Sequence, residues 1–501
     1  MRQLFKRKPI AELMVGELET PHSLRRVLSA GDLIMLAIGA VTGAGIFGAI
    51  GTAAAGQTDA AGNMVRAGAG PALVFSFLLL GVCCALAGLC YAELAAMIPQ
   101  AGSAYAYTYA TLGELVAWMI GWDLILEYAV GNVAVAISWA DYLKSLLGGF
   151  GVHLPDFLTT GFRTALLSPN PEIHGLLDSA PHVAGIPILV NLPAFLIVGL
   201  ITWLLLMGVR ESARANNILV VIKLAVLALF IIAGLTHINA ENFTPFAPNG
   251  WRGIHQGAAF VFFAYIGFDA ISTAAEETKN PQRNLPIGIL GGLAICTLIY
   301  VIVGVVLTGM VKYTDLAVAD PLARALEVAG YRTVGWIVAL GAIISMSAVL
   351  LVFQYGQPRI FFAMARDGLL PPWAAKVSPN RRVPYITTIV TGAFVAIWSL
   401  IGDANETYNL TNIGTLFAFA LVSAGVLMLR FTEPGRPRPF RVPGVWVVAP
   451  VSVILCVYVM LGLPLETWER FGIWLTIGLV LYFAYGYKHS RIRQAPGQGP
   501  G

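Results

Sequence analysis

Thr42-Gly43-Ala44-Gly45 interrupts an apolar stretch running from about Gly31 to Ala55, and the chemistry open to such an interruption is that of bare backbone. Three small residues in four lower helix propensity, and an opened turn exposes N–H and C=O groups that hydrocarbon cannot satisfy, so it must line a cavity or hold a ligand. A half-helix restarting near Ile46 would offer the N–H groups of Ala44, Gly45 and Ile46 to a carboxylate, helped by its positive dipole end. The half before it would leave the carbonyls of Ile38 to Val41 for an ammonium. A second interruption, Ala264-Tyr265-Ile266-Gly267-Phe268-Asp269, lies in the stretch from about Gly253 to Thr278. There the carbonyls of Phe263 and Ile266 would accept from the same ammonium, and the rings of Phe262, Phe263 and Phe268 would wall a pocket. Main-chain atoms of a free amino acid need donors at one end and acceptors at the other. Two opened turns supply both without a side-chain charge in lipid. The competing explanation is that the glycines simply let helices pack closely.

Ionisable side chains inside apolar text are the next candidates. Lys223 stands in Val220-Val221-Ile222-Lys223-Leu224-Ala225-Val226, where an ammonium costs about 2.5–3.5 kcal/mol on insertion scales and must find partners or snorkel to the headgroups. Glu127 in Leu124-Ile125-Leu126-Glu127-Tyr128 and Asp269 in Gly267-Phe268-Asp269-Ala270 are acidic candidates on the same grounds, with Asp269 also suited to cap the second opened turn. Glu93 and the group Glu276, Glu277 and Arg283 fall at span ends and read as salt-bridge formers. Cys83, Cys84, Cys90, Cys296 and Cys456 all lie within apolar stretches and read as small core residues. The seven histidines show no metal-binding spacing, and no phosphate loop is present, so neither a metal nor a nucleotide cofactor is expected.

These residues need a membrane-spanning scaffold, and the composition supplies one. The chain of 501 residues is 57% hydrophobic and 12% charged, with mean hydropathy +0.75, about half the charge of a soluble protein. Apolar stretches near 31–55, 71–97, 113–143, 187–207, 214–236, 253–278, 286–311, 332–364, 384–402, 408–430, 445–463 and 470–487 predict an all-α integral membrane protein of 12 transmembrane helices. No ten-residue alternation suggests a barrel, and Met1–Ala30 lacks the apolar core of a signal peptide. Alternate connections and both end segments hold 22 of the 31 Lys and Arg residues, which predicts cytoplasmic termini. The net charge of +4 therefore reports topology and calls for no nucleic-acid partner. A channel would need a continuous polar pore, and an enzyme a positioned nucleophile or metal motif; neither is legible. A nontransporting amino acid sensor on the same scaffold is not distinguishable in the sequence.

Gly39-Ala40-Val41-Thr42-Gly43-Ala44-Gly45-Ile46-Phe47 resembles the first-helix signature of the amino acid, polyamine and organocation superfamily. Tyr91 to Pro99 with Gly102-Ser103-Ala104-Tyr105, Phe260 to Asp269 with Glu276 to Pro286, Arg366 to Pro371, and Phe440-Arg441-Val442-Pro443 are similar to its bacterial cationic amino acid transporter branch. The resemblance runs in order over nearly the whole chain. It implies a 5+5 inverted repeat with discontinuous first and sixth helices, 31–236 and 253–430, followed by two extra helices in 431–487, with cytoplasmic segments 1–30 and 488–501. It further implies that Lys223 occupies the place of a sodium ion, bonds carbonyls near Gly39 and Thr42 together with Ser345 or Ser347, and serves proton coupling. Glu127 and Asp269 would join the two broken helices beside the substrate, and Phe353 would set side-chain space. The resulting expectation is proton-coupled, sodium-independent symport of L-amino acids in the cell membrane, small neutral ones such as L-alanine before arginine or lysine. Exchange remains the alternative, and oligomeric state is not legible.

Overall fold

The computed structural model describes residues 4–10, 28–98, 103–208, 213–378, 381 and 383–494, without the side chains of 213–215, 270, 273–276 and 494. Most of the 1–30 segment, Pro99, Gly102, Arg210, Arg382, the side chains of Arg214 and Glu276, and residues 495–501 therefore lie outside the description.

The first span opens on a capping box, in which the Ser29 hydroxyl accepts from Asp32 N–H while the Asp32 carboxylate accepts from Ser29 N–H. α1 (Ala30–Val41) stops where Thr42 becomes extended, and α2 (Gly45–Ala55) restarts on a π turn at Gly45–Ala49, bent by 47° from α1. An antiparallel hairpin, β1 (Gly56–Thr58) and β2 (Met64–Ala67), leads to α3 (Leu73–Met97). A short α4 (Ser103–Thr111), read in the sequence only as part of a motif, precedes α5 (Glu114–Gly149), which carries a π turn at Leu126–Val130 and runs six residues past the expected end at 143. The connection expected as an irregular surface cap contains three short helices between Phe162 and Ser179 and a second hairpin, β3 (His182–Val183) with β4 (Ile186–Pro187). Then follow α6 (Leu192–Leu206), α7 (Ala213–Leu235) and α8 (Gly250–Val261). After α8 the chain tightens into 3₁₀ turns at Phe262–Tyr265 and Phe268–Glu277, separated by extended Ile266 and by Gly267 at φ +110°. α9 (Pro281–Met310), α10 (Pro321–Val328), α11 (Arg332–Arg366), α12 (Tyr385–Ile401), α13 (Ala404–Thr432), α14 (Val445–Met460) and α15 (Leu465–His489) complete the chain.

Among the described residues, six helices are long and apolar enough to cross a membrane, or up to eight if each of the bent pairs α1/α2 and α14/α15 is one span; α6 and α12 are shorter apolar helices. The chain is thus a largely helical, multi-pass membrane protein. α5 lies in the middle, with 89% of its most apolar window buried against 33% for α7. Side chains such as Leu78, Val82, Leu196, Ile218 and Val221 point outward, as they must where the solvent is lipid. α1 packs on α9 and α8 on α3; α5 packs on α11 and α13; α6 packs on α12 and α7 on α11. All five cysteines are buried and free.

Candidate functional site

The two interruptions meet. A Cβ on Gly45 would lie 2.3 Å from the Ala264 Cα and 2.5 Å from its N, so only glycine lets the opened turns touch there. Gly267 lies against the Ala40 carbonyl, which an added Cβ would approach to 3.0 Å, and Gly43 presses on Val349 of α11. Close packing and opened backbone, set against each other in the sequence, coexist at these positions.

Some of the backbone expected to be free is occupied. Thr42 N–H donates to the Ile38 carbonyl at 2.9 Å and Ile46 N–H to the Gly43 carbonyl at 3.2 Å, which removes Ile38 and Ile46 from the available groups. Ile266 N–H likewise takes the Phe263 carbonyl, at 3.3 Å. Among the described residues, the N–H groups of Gly43, Ala44 and Gly45 and the carbonyls of Ala40 and Val41 have no backbone partner. Donors and acceptors therefore stand within one opened turn.

Lys223 is wholly buried on α7, and its ammonium donates to the Gly39 carbonyl at 2.6 Å and to the Thr42 carbonyl at 3.2 Å. Snorkelling is thereby excluded. Ser345 of α11 donates to the same Thr42 carbonyl at 3.0 Å. Ser347 does not join them, because its hydroxyl accepts from the Trp139 indole at 2.9 Å and donates to Ile343.

Glu127 sits inside the π turn of α5, a distortion frequent at functional sites. It lies close enough to Asp269 for their charges to act on one another, and Asp123, one turn earlier, adds a third carboxyl. Among the described residues no hydrogen bond of good geometry reaches either carboxyl oxygen of Glu127 or Asp123. Asp269, expected as a cap of its own turn, reaches other elements: it accepts from the Ser103 hydroxyl of α4 at 3.0 Å and from Tyr128 at 3.5 Å. Asp123 was missed in the sequence, although its i, i+4 spacing from Glu127 in apolar text was a usable signal.

The three phenylalanines expected to wall one pocket divide. Phe263 and Phe353 bracket Gly131 of α5, whose added Cβ would lie 3.6 Å from both rings, and Phe353 packs on Tyr128 at 5.5 Å. Phe262 and Phe268 turn the other way, onto Phe419 at 5.8 and 4.8 Å, so neither shares that wall. Phe263 also meets Tyr408 at 4.6 Å, and the hydroxyls of Tyr408 and Ser138 are 2.6 Å apart beside Gly48. From this layer a cavity of ≈ 950 Å³ extends toward the hairpin β1–β2 and the connection after α5.

A family model for amino acid permeases matches residues 28–483, which takes in every element just described except the segment before Leu28 and the end of α15. The chain belongs to the amino acid permease family. That family is one of transporters and not of enzymes. The permease is 44% identical over 495 residues to a methylthioribose transporter of Bacillus subtilis (strain 168), covering 99% of this chain and 100% of that one. It is 43% identical over 493 residues to a branched-chain amino acid permease of the same organism (98% and 99% covered), and 36% identical over 440 residues to the vacuolar cationic amino acid transporter 4 of Arabidopsis thaliana (87% and 68% covered).

Where residues 4–10 meet residues 490–493, several ion pairs and hydrogen bonds gather. Buried Glu93 pairs with Arg430 at 2.5 Å and Arg438 at 3.3 Å and accepts from Val442 N–H. Lys8 pairs with Asp367 at 2.7 Å, whose other oxygen accepts from Tyr105, and Lys6 donates to the Ile492 carbonyl. Arg493, Tyr482 and Ser490 converge on Glu114. Residues 4–10 are thus strapped across α4 and the start of α5 by residues from beyond α15. Glu277 and Arg283, expected as salt-bridge formers, make no ion pair among the described residues; the Glu277 carbonyl instead accepts from Leu28 N–H.

Proposed function

We propose that the permease is a secondary active transporter of L-amino acids working by alternating access, coupled to protons and independent of sodium. The observation that carries this reading is the contact of the two opened turns at Gly45 and Ala264 with Lys223 bonded to the carbonyls of Gly39 and Thr42. The N–H groups of Ala44 and Gly45 would take the substrate carboxylate, and the carbonyls of Ala40, Val41 and Ile266 its ammonium. Gly43, Thr42 and Ile46 shape that turn. Phe263 and Phe353 leave little length beside them, which favours a small neutral side chain such as that of L-alanine; the branched-chain permease among the relatives points to apolar side chains too. A cationic side chain is the second choice, favoured by the buried carboxyls of Glu127 and Asp269. Lys223 holds by covalent means the position a sodium ion would fill, and either it or the Glu127 and Asp269 pair supplies the coupling.

A 5+5 inverted repeat, 31–236 and 253–430, followed by spans in 431–487, accounts for the packing. Exchanging each span of one half for its counterpart turns the α1–α9 contact into α8–α3 and α7–α11 into α13–α5, and returns α5–α11 and α6–α12 to themselves. The polar contacts obey the same exchange. Asn412 of α13 donates to the carbonyls of Ala259 and Phe260 ahead of the second break, as Lys223 of α7 does to Gly39 and Thr42 around the first. Twelve spans with both termini in the cytoplasm and the protein in the cell membrane complete the reading.

Proteoliposomes test it. Radiolabelled L-alanine uptake is expected to accumulate under an inward proton gradient with or without sodium. Uptake that requires internal amino acid and ignores the proton gradient makes the permease an exchanger; binding without flux makes it a sensor; no interaction with L-alanine, L-valine or L-arginine rejects amino acid transport.

A further inference from the structure

The cavity above Tyr408 holds three Lys or Arg side chains in its lining, Arg66, Lys144 and Arg324. Lys144 is paired with Asp156 at 2.7 Å and Arg324 with Glu327 at 2.8 Å. Arg66 of β2 differs. It is 2% exposed, and among the described residues none of its three nitrogens has a hydrogen-bond partner. Its guanidinium carbon rests 3.4 Å from the centre of the Phe260 ring, an interaction that offsets part of the desolvation but supplies no acceptor. Burial without a counter-ion pushes its pKa down to about 9, which still leaves it a cation at neutral pH. The same lining contains Asp141 and Asp320, which make no ion pair among the described residues and lie near enough for their charges to interact. A desolvated guanidinium without a hydrogen-bonded acceptor, in one cavity with carboxylates that stand outside any ion pair, matches a zwitterion.

We infer that this cavity is a second, outer binding site for a free α-amino acid, with the substrate carboxylate on Arg66 and its ammonium on Asp141 and Asp320. The site rests on the transport reading above and is separate from the opened turns. Its volume of ≈ 950 Å³ lies at the upper end of the range of about 300–1,000 Å³ usual for small-ligand sites. Arg66 is also linked to the floor: Phe260 meets Tyr408 edge-on at 5.6 Å, and Tyr408 meets Ser138. A carboxylate that draws the guanidinium off Phe260 therefore loosens the layer between the outer cavity and the first break.

Equilibrium binding to the purified full chain tests this, using whichever of radiolabelled L-alanine, L-valine or L-arginine the liposomes take up. Wild type is expected to bind two molecules per chain and Arg66→Gln one, with Arg66→Lys recovering the second at roughly tenfold weaker affinity. Asp320→Asn guards against misfolding at Arg66 and is expected to lose the same molecule. L-alaninamide, which keeps the ammonium and lacks the carboxylate, should not compete for the second molecule. One molecule per chain in an actively transporting wild type overturns the outer site and leaves the transport reading standing. Neither binding nor uptake overturns both.

Discussion

The Lys223 ammonium on α7 lies 2.6 Å from the Gly39 carbonyl, on the last turn of α1 before the chain opens. Removing it strands the Gly39 carbonyl in a dry interior and leaves the Thr42 carbonyl to Ser345 alone, at about 1–3 kcal/mol for a buried group left unsatisfied. Lys223→Ala and the longer Lys223→Met are both expected to lose concentrative L-alanine uptake by at least about tenfold, measured in proteoliposomes beside a thermal melt. Wild-type accumulation in Lys223→Met would remove the lysine from coupling.

Lys223 and Glu127 predict different pH behaviour. If the carboxyl pair carries the coupled proton, Glu127→Gln flattens the dependence of uptake on external pH while Lys223→Met retains it. The reverse pattern assigns the proton to the lysine. Asp123→Asn is expected to weaken the dependence in the first case only, because its carboxyl acts on Glu127.

Gly45→Ala forces a carbon to 2.3 Å from the Ala264 backbone, which cannot yield as a side-chain tip would. Overpacking of this kind costs about 1–3 kcal/mol, and uptake should fall below about a tenth of wild type. Gly148→Ala, which meets nothing within 4 Å near the end of α5, is the control and should stay within about 0.5 kcal/mol. Equal melting temperatures for the two variants would contradict the contact between the breaks.

Phe353→Ala opens space beside Tyr128 and Gly131. Differences of a methylene or two in such a pocket are worth about 10–200-fold in discrimination. The ratio of L-leucine to L-alanine kcat/KM should rise by about tenfold, read from initial uptake rates. An unchanged ratio would place the side-chain pocket elsewhere.

Both breaks were legible because glycine in apolar text leaves few other readings, and Lys223 because an ammonium at that depth must bond something. The partners were not all legible. Ser347 and Phe268 sit at suitable positions along the chain, yet helix rotation turns the one toward Trp139 and the other toward Phe419. Arg66 falls in a connecting hairpin whose text reads as ordinary polar loop, and it is buried with its guanidinium on Phe260, far away in sequence. Asn412 carries no charge to mark it in the sequence, and its bonds to the end of α8 arise from the packing of α8 beside α13. The fate of each backbone group in the opened turns, such as Ile46 N–H on the Gly43 carbonyl, depends on local torsions that composition does not encode.

Lys6 and the Ile492 carbonyl are joined across 486 positions of chain. A ribosome makes the first of these segments 486 residues before the second, so the seam they close over α4 stays open while every span between them is being inserted. Contacts of such separation carry the largest loop-closure cost and form late. The packing of residues 4–10 over α4 is therefore completed only once translation has passed Ile492, and a chain arrested before that point would be inserted and helical with that seam still open.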